Sequence, residues 1–290
     1  MPNRAVTIRE ALGQGIERLR QHGVESPEVA CEILLVQVLK CQRVDLYLNL
    51  NQTIPKSQWE ILNSWLEQRI KGKPVQYITN SANFFGLDFY VDENVLIPRP
   101  ETEILVEKVL ERLSLLNQPA TIIDWGTGSG NIAIALASHL ECNVYAVEIS
   151  EKALSVAERN ILTHNLEEKI KLILGDSFTA LPKELKGKVD AVVSNPPYVK
   201  PEEEGSLPRE VREYEPKQAL LDKEDGLYFS REIIRGAKHF IKPGGLLALE
   251  VALGQAERVC EIIQNRKSYY KVETVLDLAG VKRVVLAQKK

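Results

Sequence analysis

The sequence has few of the residues from which disulfide and metal sites are built. Its 290 residues include four cysteines and four histidines, and no two cysteines form a C-x-x-C pair; the cysteines are Cys31, Cys41, Cys142 and Cys260. Isolated cysteines are typical of reduced thiols in a cytoplasmic protein rather than of a disulfide scaffold. The histidines are equally dispersed, so we expect no zinc or other metal site.

Long hydrophobic runs and a large excess of one charge are also missing. No apolar stretch approaches the roughly 20 residues that cross a bilayer, and the first residues lead into an amphipathic segment. We therefore expect neither a membrane span nor a signal peptide. The formal net charge is −3, whereas a protein that grips duplex DNA through many phosphates usually has a basic face. This balance argues against a dedicated DNA-binding enzyme.

The first 72 residues predict a small helical domain. Thr7-x-x-Glu10 is a capping-box pattern at the start of one helix, Ser26-Pro27 opens a second, and a third spans about 56–71. We expect the second helix to bury Val29, Ile33, Leu34, Val36 and Leu39. No catalytic grouping falls in this bundle, so we expect residues 1–72 to recognise a substrate partner or to pack against a larger domain.

Residues 73–100 predict a linker with a connecting β-hairpin, because Phe84 to Val91 alternate and are rich in aromatic residues. A helix follows from Arg99 to about residue 113, and 101–290 form the second domain. Its strand candidates are 121–125, 143–147, 170–174, 189–194, 245–251, 270–276 and 281–287, and its helix candidates are 130–139, 151–165, 178–185, 226–240 and 254–265. This alternation predicts an α/β fold with a mostly parallel seven-stranded sheet and an antiparallel C-terminal edge strand.

A glycine loop joins the first strand of the second domain to its first helix. Its spacing is G-x-G-x-G, whereas the dinucleotide fingerprint G-x-G-x-x-G would need glycine at Asn131. The acid that heads the loop would repel a pyrophosphate and suits the sulfonium and ammonium groups of S-adenosylmethionine. The expected cofactor residues here are Asp124, Gly126, Thr127, Gly128, Ser129 and Gly130.

Polar residues also follow the second and third strands. Glu148 closes the second strand, where an acid can accept hydrogen bonds from both ribose hydroxyls. The plainer alternative is a solvated acid before a helix that Ser150 caps. After the third strand, Asp176 or Ser177 could meet the amino group of adenine.

The stretch Asn195-Pro196-Pro197-Tyr198 follows the fourth strand. Two prolines fix two φ angles and remove two backbone donors, so the chain leaves the sheet there and presents an amide and an aromatic ring on a rigid corner. An ordinary strand-ending turn would use the same residue types. The glycine loop on the neighbouring strand favours a functional site.

These motifs together resemble the HemK/PrmC family, the peptide chain release factor glutamine N5-methyltransferases. The resemblance rests on Leu96 to Glu103 (R-P-E-T-E), Asp124 to Gly130, Val147 to Ser150, Ser194 to Val199, Tyr214 to Pro216, Asp225 to Leu227, and Leu249-Glu250. It implies a class I S-adenosylmethionine-dependent methyltransferase domain behind a small helical domain. Trp125 and Glu148 depart from the family's usual leucine and aspartate without removing a reacting group.

The resemblance also implies roles at the proline corner. The side-chain oxygen of Asn195 and the carbonyl of Pro196 would accept both hydrogens of the substrate NH₂ group, and Tyr198 would stack on the planar amide. We expect Pro197 and Arg99 at the substrate as well, and Glu101 and Asn195 at the cofactor. The implied partner is a release factor, modified at the glutamine of its Gly-Gly-Gln motif, and we expect a cytoplasmic monomer with no direct nucleic-acid contact.

Other functions stay open at the level of the sequence. A flat NH₂ group is also presented by a glutamine of a ribosomal protein and by adenine N6 in a nucleic acid, so a methyltransferase for either is the nearest alternative. A binding protein with a degenerate cofactor pocket is a different class. A nicotinamide oxidoreductase is disfavoured because Asn131 breaks the dinucleotide fingerprint.

Overall fold

The structure, a computed structural model, describes residues 6–290. The chain divides into two compact units: the described residues up to Ser81 with Pro208–Tyr214, and Ala82–Leu207 with Glu215–Lys290. The boundaries expected from the sequence fall after residues 72 and 100. The first five residues of the expected helical domain, 1–5, lie outside the described residues.

The elements follow one another in two stretches of chain. Up to residue 113 they are β1 (Val6–Thr7), α1 (Ile8–Gln21), α2 (Pro27–Leu39), α3 (Arg43–Leu48), β2 (Thr53–Ile54), α4 (Lys56–Ile70), α5 (Val75–Thr79), β3 (Ala82–Phe84), β4 (Leu87–Phe89) and α6 (Pro100–Leu113). From residue 120 they are β5 (Ala120–Trp125), α7 (Asn131–His139), β6 (Cys142–Glu148), α8 (Glu151–Thr163), β7 (Ile170–Leu174), β8 (Val189–Ser194), α9 (Arg209–Tyr214), α10 (Lys217–Leu220), α11 (Tyr228–Ala237), β9 (Ile241–Glu250), α12 (Ala256–Gln264), β10 (Tyr269–Leu276) and β11 (Lys282–Lys289).

The starts of the first two helices lie where the sequence predicted them, but only one is capped as expected. The N–H of Glu10 donates to the Thr7 hydroxyl at 3.2 Å, and the N–H of Thr7 donates to the Glu10 carboxylate at 3.0 Å. These two bonds complete the capping box of α1. Helix α2 begins at Pro27, yet the Ser26 side chain makes no capping bond, because its backbone lies in the left-handed region at φ 47°.

The buried face of α2 differs from the predicted one. Val29 is 51% exposed and Ile33 is 38% exposed, so their predicted burial is wrong. The buried apolar residues are Ala30, Cys31, Leu34, Leu35 and Val38, on the helix that packs against α1 and α4. Apolar residues occur on nearly every side of α2, and periodicity therefore could not identify its inner face.

The predicted β-hairpin is present as β3 and β4, which pair antiparallel with Phe84 opposite Leu87. Phe85 and Gly86 form the two-residue turn, both with positive φ (52° and 74°), as a tight hairpin turn that follows the strand twist requires. The N–H of Phe85 also donates to the carboxylate of Glu103 at 2.7 Å. The contacts of the hairpin place it in the second unit.

The second unit is built on a seven-stranded sheet of order β10-β11-β9-β8-β5-β6-β7. Strands β9, β8, β5, β6 and β7 are parallel, and β11 is antiparallel to both of its neighbours. This confirms the predicted mostly parallel fold with an antiparallel C-terminal strand. The edge position expected for that strand is wrong: β11 lies between β9 and β10. Its central residues 284–287 are at most 1% exposed, and a strand this apolar needs cover on both faces.

The helix predicted over 178–185 is replaced by two short 3-10 turns, Phe178–Ala180 and Lys183–Leu185. Pro182 lies between them and cannot donate the hydrogen bond that would continue a helix. The polar segment after the proline corner also contains short helical turns, namely Pro201–Ser206, α9 and α10. The other predicted strands and helices of this unit are present with ends shifted by a few residues.

Within residues 6–290, no helix is both long enough and apolar enough to span a membrane. The same residues contain no group of three or more histidine, cysteine, aspartate and glutamate side chains that could hold a metal ion.

Candidate active site

A cavity of about 750 Å³ opens at the carboxyl ends of the parallel strands. Residues 126–129 line it after β5, 147–150 at the end of β6, and 175–179 after β7, while Asn195 and Pro197 contribute after β8. Open α/β sheets bind ligands at this edge, and cavities of roughly 300–1,000 Å³ hold small molecules. The sheet therefore brings the expected cofactor loop and the proline corner to one cavity.

The glycine loop turns sharply before α7. Gly126, Gly128 and Gly130 have positive φ (77°, 55° and 81°), which side chains with a Cβ adopt only with strain. A Cβ added at Gly126 or Gly128 would meet no protein atom within 4 Å, so the backbone there faces open space. At Gly130 a Cβ would lie 3.4 Å from the Cβ of Ala157. Two of these glycines open the loop toward a ligand, and the third permits close packing with α8.

Asp124 lies beneath the loop rather than in the wall of the cavity. It is 0% exposed, its Oδ2 accepts a hydrogen bond from the Thr127 hydroxyl at 2.6 Å, and its Oδ1 has no partner. Burial raises the pKa of this carboxyl to about 7, and the nearby Glu148 raises it further, while Thr127 and the N–H of Ala133 oppose the shift. A positive charge in the cavity would favour its ionised form.

Glu148 lines the cavity with both carboxylate oxygens occupied by backbone donors. Its Oε2 accepts from the N–H of Gly128 at 3.0 Å, and its Oε1 accepts from Ile149 at 2.9 Å and Ser150 at 3.0 Å. The Ser150 hydroxyl in turn caps α8, accepting from Ala153 at 3.2 Å. Ser150 therefore caps α8, as the sequence suggested. Glu148 is held rigidly against the glycine loop.

Asp176 and Ser177 also line the cavity, after β7. The hydroxyls of Ser177 and Thr179 lie 2.8 Å apart, and the N–H of Gly175 donates to the carbonyl of Glu148 at 2.8 Å. Phe178 packs on Phe240 with ring centroids 5.5 Å apart. This loop is tied to the end of β6, on the same edge as the glycine loop.

The proline corner contributes two of its four residues to the cavity wall. Asn195 and Pro197 line the cavity, whereas Pro196 is buried and neither it nor Tyr198 is part of the lining. The Nδ2 of Asn195 donates to the Thr102 hydroxyl at 3.1 Å. Burial raises the pKa of Tyr198 to about 12, and the carboxylate of Glu250 adds to the shift.

Arg99 and Glu101 flank the start of α6 in different environments. Arg99 lines the cavity and donates to Glu215 at 2.6 Å, and the Glu215 side chain is 2% exposed. The other oxygen of Glu215 accepts from the N–H of Ile97 at 3.3 Å. Glu101 is half-buried and is not part of the cavity lining.

Sequence reasoning assigned no role to three buried polar residues of this site. The Thr102 hydroxyl accepts a hydrogen bond from Asn195 at 3.1 Å and acts in turn on the buried carboxyl of Glu250. Asp222 is 3% exposed and accepts hydrogen bonds from four backbone N–H groups, those of Glu224, Gly226, Tyr228 and Phe229. An aspartate shortly before Asp-Gly was the available signal, since such residues organise turns.

The segment that Asp222 organises supports the proline corner. Gln255 donates to the carbonyls of both Tyr198 and Gly226, at 3.3 and 3.2 Å. A Cβ at Gly226 would lie 2.8 Å from the carbonyl oxygen of Tyr198, so only glycine allows this approach. The backbone after Asn195 is thus fixed by contacts distant in sequence.

Two family models match the chain: the PrmC N-terminal domain over residues 10–79 and a methyltransferase domain over residues 116–289. The chain is 39% identical over 281 residues to the release factor glutamine methyltransferase of Clostridium acetobutylicum, covering 97% of this chain and 98% of the relative. It is 39% identical over 287 residues to that of Moorella thermoacetica, covering 98% and 99%.

Among solved structures, a methyltransferase from Pyrococcus furiosus aligns with a TM-score of 0.52 at 20% identity, covering 71% of this chain and 90% of that chain. This likeness shows the fold alone. The two release factor glutamine methyltransferases match at much higher identity and over nearly their whole length. The chain belongs to the release factor glutamine methyltransferase family.

Proposed function

We propose that this protein transfers a methyl group from S-adenosylmethionine to the side-chain amide nitrogen (N5) of the glutamine in the Gly-Gly-Gln motif of peptide chain release factors. The observation that carries the proposal is the placement of Asn195 in the cavity wall, one strand from the glycine loop. Its Nδ2 is bonded to Thr102, which leaves Oδ1 for an incoming N–H. The relatives named for this reaction support release factors as the substrate.

The cavity fits the cofactor in shape and in charge. Gly126 and Gly128 leave open space above the loop, and Asp124 places an unpartnered carboxylate oxygen beneath it. S-adenosylmethionine supplies a methyl group on a positively charged sulfur. We assign to Glu148 the binding of the ribose hydroxyls of the cofactor. The other cofactor residues that we propose are Thr127, Ser129, Gly130, Asp176, Ser177, Asn195 and Glu101. Asp124 acts from below, by its charge and by holding Thr127.

The proline corner would solve the difficulty of methylating an amide. The nitrogen lone pair of an amide is delocalised, and it attacks only when it is held in line with the methyl group. Asn195 Oδ1 and the Pro196 carbonyl accept the two N–H groups, and both bonds strengthen as positive charge develops on nitrogen. Tyr198 stacks on the amide plane and excludes water. Pro197 and Arg99 complete the substrate side, and no ionisable base is needed.

We further propose that residues 1–72 recognise the release factor, that 73–100 connect the domains, and that 101–290 carry the chemistry. Helix α3 supports this division, since three of its six residues are exposed and apolar or aromatic: Val44 is 57%, Tyr47 51% and Leu48 75% exposed. Apolar residues that remain exposed together are typical of protein-binding surfaces.

We propose a cytoplasmic monomer that does not bind nucleic acid directly. The four cysteines are unpaired, which fits a reducing compartment, and the net charge of −3 disfavours a phosphate backbone as partner. Sedimentation at micromolar concentration should give a single species of 32.6 kDa; a species of twice that mass would refute the monomer.

Incubation with radiolabelled cofactor and three substrates, offered separately, tests the function. Label should enter purified release factor, at glutamine, and should not enter ribosomes or DNA. Label in a ribosomal protein or in adenine would favour the two alternative methyltransferases. A single-turnover reaction without any transfer would instead indicate a degenerate binding protein.

A further inference from the structure

A hydrogen-bonded chain of side chains runs from Asn195 into the protein interior. Nδ2 of Asn195 donates to the hydroxyl of Thr102 at 3.1 Å, and a hydrogen bond from that hydroxyl opposes the rise in the pKa of the Glu250 carboxyl. Thr102 is 1% exposed, in the first turn of α6, and Glu250 is 2% exposed, at the end of β9. The chain links three elements of the second unit at one buried point.

The polarity of this chain follows from the chemistry of its members. A carboxylate only accepts hydrogen bonds, whereas a hydroxyl has one hydrogen to give. Once Thr102 gives its hydrogen to Glu250, its oxygen can only accept. The NH₂ end of the Asn195 amide must then face Thr102, and its oxygen must point the other way.

Burying the Glu250 carboxyl at this position costs free energy. Its Oε2 is buried and has no hydrogen-bond partner, and a buried unsatisfied group in a folded protein calls for an explanation. The charged groups around the Glu250 carboxyl are Glu101, Arg283 and Arg99, and its charge also acts on Tyr198. If position 250 were needed only for packing, an apolar residue would fill it as well as glutamate does.

We propose that Thr102 and Glu250 are positioning residues that fix the amide of Asn195 with its oxygen toward the substrate, so that the site accepts an NH₂ donor. The inference rests on the proposed function. A flipped Asn195 would present its own NH₂ group to the substrate NH₂ group, and two donors do not bond. The same orientation rejects glutamate at the target position, because a carboxylate has no N–H to offer.

The test compares three variants in steady-state methylation of release factor. Thr102→Val keeps the shape of the side chain and removes the hydroxyl; kcat should fall on the order of 10- to 100-fold, with the KM for release factor and the Kd for S-adenosylhomocysteine little changed. Thr102→Ser retains the hydroxyl and should recover kcat to within about threefold of wild type. The control is Thr163→Val, where an exposed hydroxyl bonds only its own helix, and it should behave as wild type.

The pH dependence of kcat distinguishes a positioning role of Glu250 from a role in packing alone. Burial raises the pKa of Glu250 to about 7 and Glu101 adds to the shift, while Thr102, Arg283 and Arg99 oppose it. Protonated Glu250 can donate to Thr102 and reverse the chain, so kcat of the wild type should rise with pH through about 7. Glu250→Gln should remove that rise.

The outcomes separate the two proposals. An inactive wild type in this assay would overturn the proposed function and this inference with it. An active wild type with Thr102→Val within twofold of its kcat would overturn the inference alone. So would a Thr102→Ser as impaired as Thr102→Val, or a Glu250→Gln with the pH profile of the wild type.

Discussion

Asp124→Asn is expected to make the protein more stable, and increasingly so as the pH rises. The carboxyl is 0% exposed, and burial raises its pKa from 3.8 to about 7. A group whose pKa is raised on folding contributes stability that is present below pH 3.8 and is lost as the pH rises through about 7. At 1.36 kcal/mol per pH unit, the charged carboxylate lowers the free energy of unfolding by on the order of 4 kcal/mol at pH 8.

Urea unfolding of wild type and Asp124→Asn between pH 5 and pH 8 measures this effect. The amide oxygen of the variant still accepts from Thr127, so the loop keeps its anchor. The difference in the free energy of unfolding should grow by on the order of 2 to 3 kcal/mol in favour of the variant across this range. A difference that stays constant with pH would refute the assignment of a raised pKa to Asp124.

Asp277→Asn provides the matched control. The N–H of Val281 holds the pKa of Asp277 below its usual range, and Arg283 adds to this. The stability that this aspartate contributes is therefore fully present above its ordinary pKa of 3.8 and is lost only as the pH falls below it, so the difference between wild type and Asp277→Asn should stay constant between pH 5 and pH 8. A difference that grows with pH in both variants would point to a general effect of charge removal.

Three further substitutions test the parts of the site and of the helical unit. Gly128→Ala places a methyl group at φ 55° and into open space, and it should raise the Kd for S-adenosylhomocysteine at least about tenfold; an unchanged Kd by calorimetry would contradict the loop's role. Glu148→Ala should raise the same Kd by about tenfold or more, since a charge-assisted acceptor is lost; equal binding would refute the ribose assignment. Leu48→Ser, at an exposed position, should raise the KM for release factor severalfold at constant kcat, and an unchanged KM would remove α3 from the docking surface.

The residues at the carboxyl ends of the parallel strands were predictable from the sequence, because the patterns that mark them involve only neighbouring residues. An apolar strand followed by Gly126, Glu148 or Asn195 places each residue at a carboxyl end, and parallel strands bring those ends together. The capping box at Thr7 and the turn after Phe84 also depend on neighbouring residues only. Such features do not require knowledge of tertiary contacts.

The other features of the site and of the fold depend on contacts between distant parts of the chain. The pairing of Thr102 with Asn195 and Glu250 joins three elements, and no spacing in the sequence encodes it. The burial of Asp124 follows from the loop that covers it. The position of β11 inside the sheet follows from which strand can be covered on both faces, and α2 is too uniformly apolar for its pattern to select a face.

The catalytic role of the proline corner is tested most directly by Asn195→Ala, assayed by mass spectrometry for methylation of the release factor glutamine. The rate should fall at least about 100-fold, since an acceptor that acts in the transition state is removed, while S-adenosylhomocysteine should still bind within about tenfold of the wild-type Kd. An Asn195→Ala protein that methylates release factor at the rate of the wild type would show that Asn195 does not orient the substrate amide.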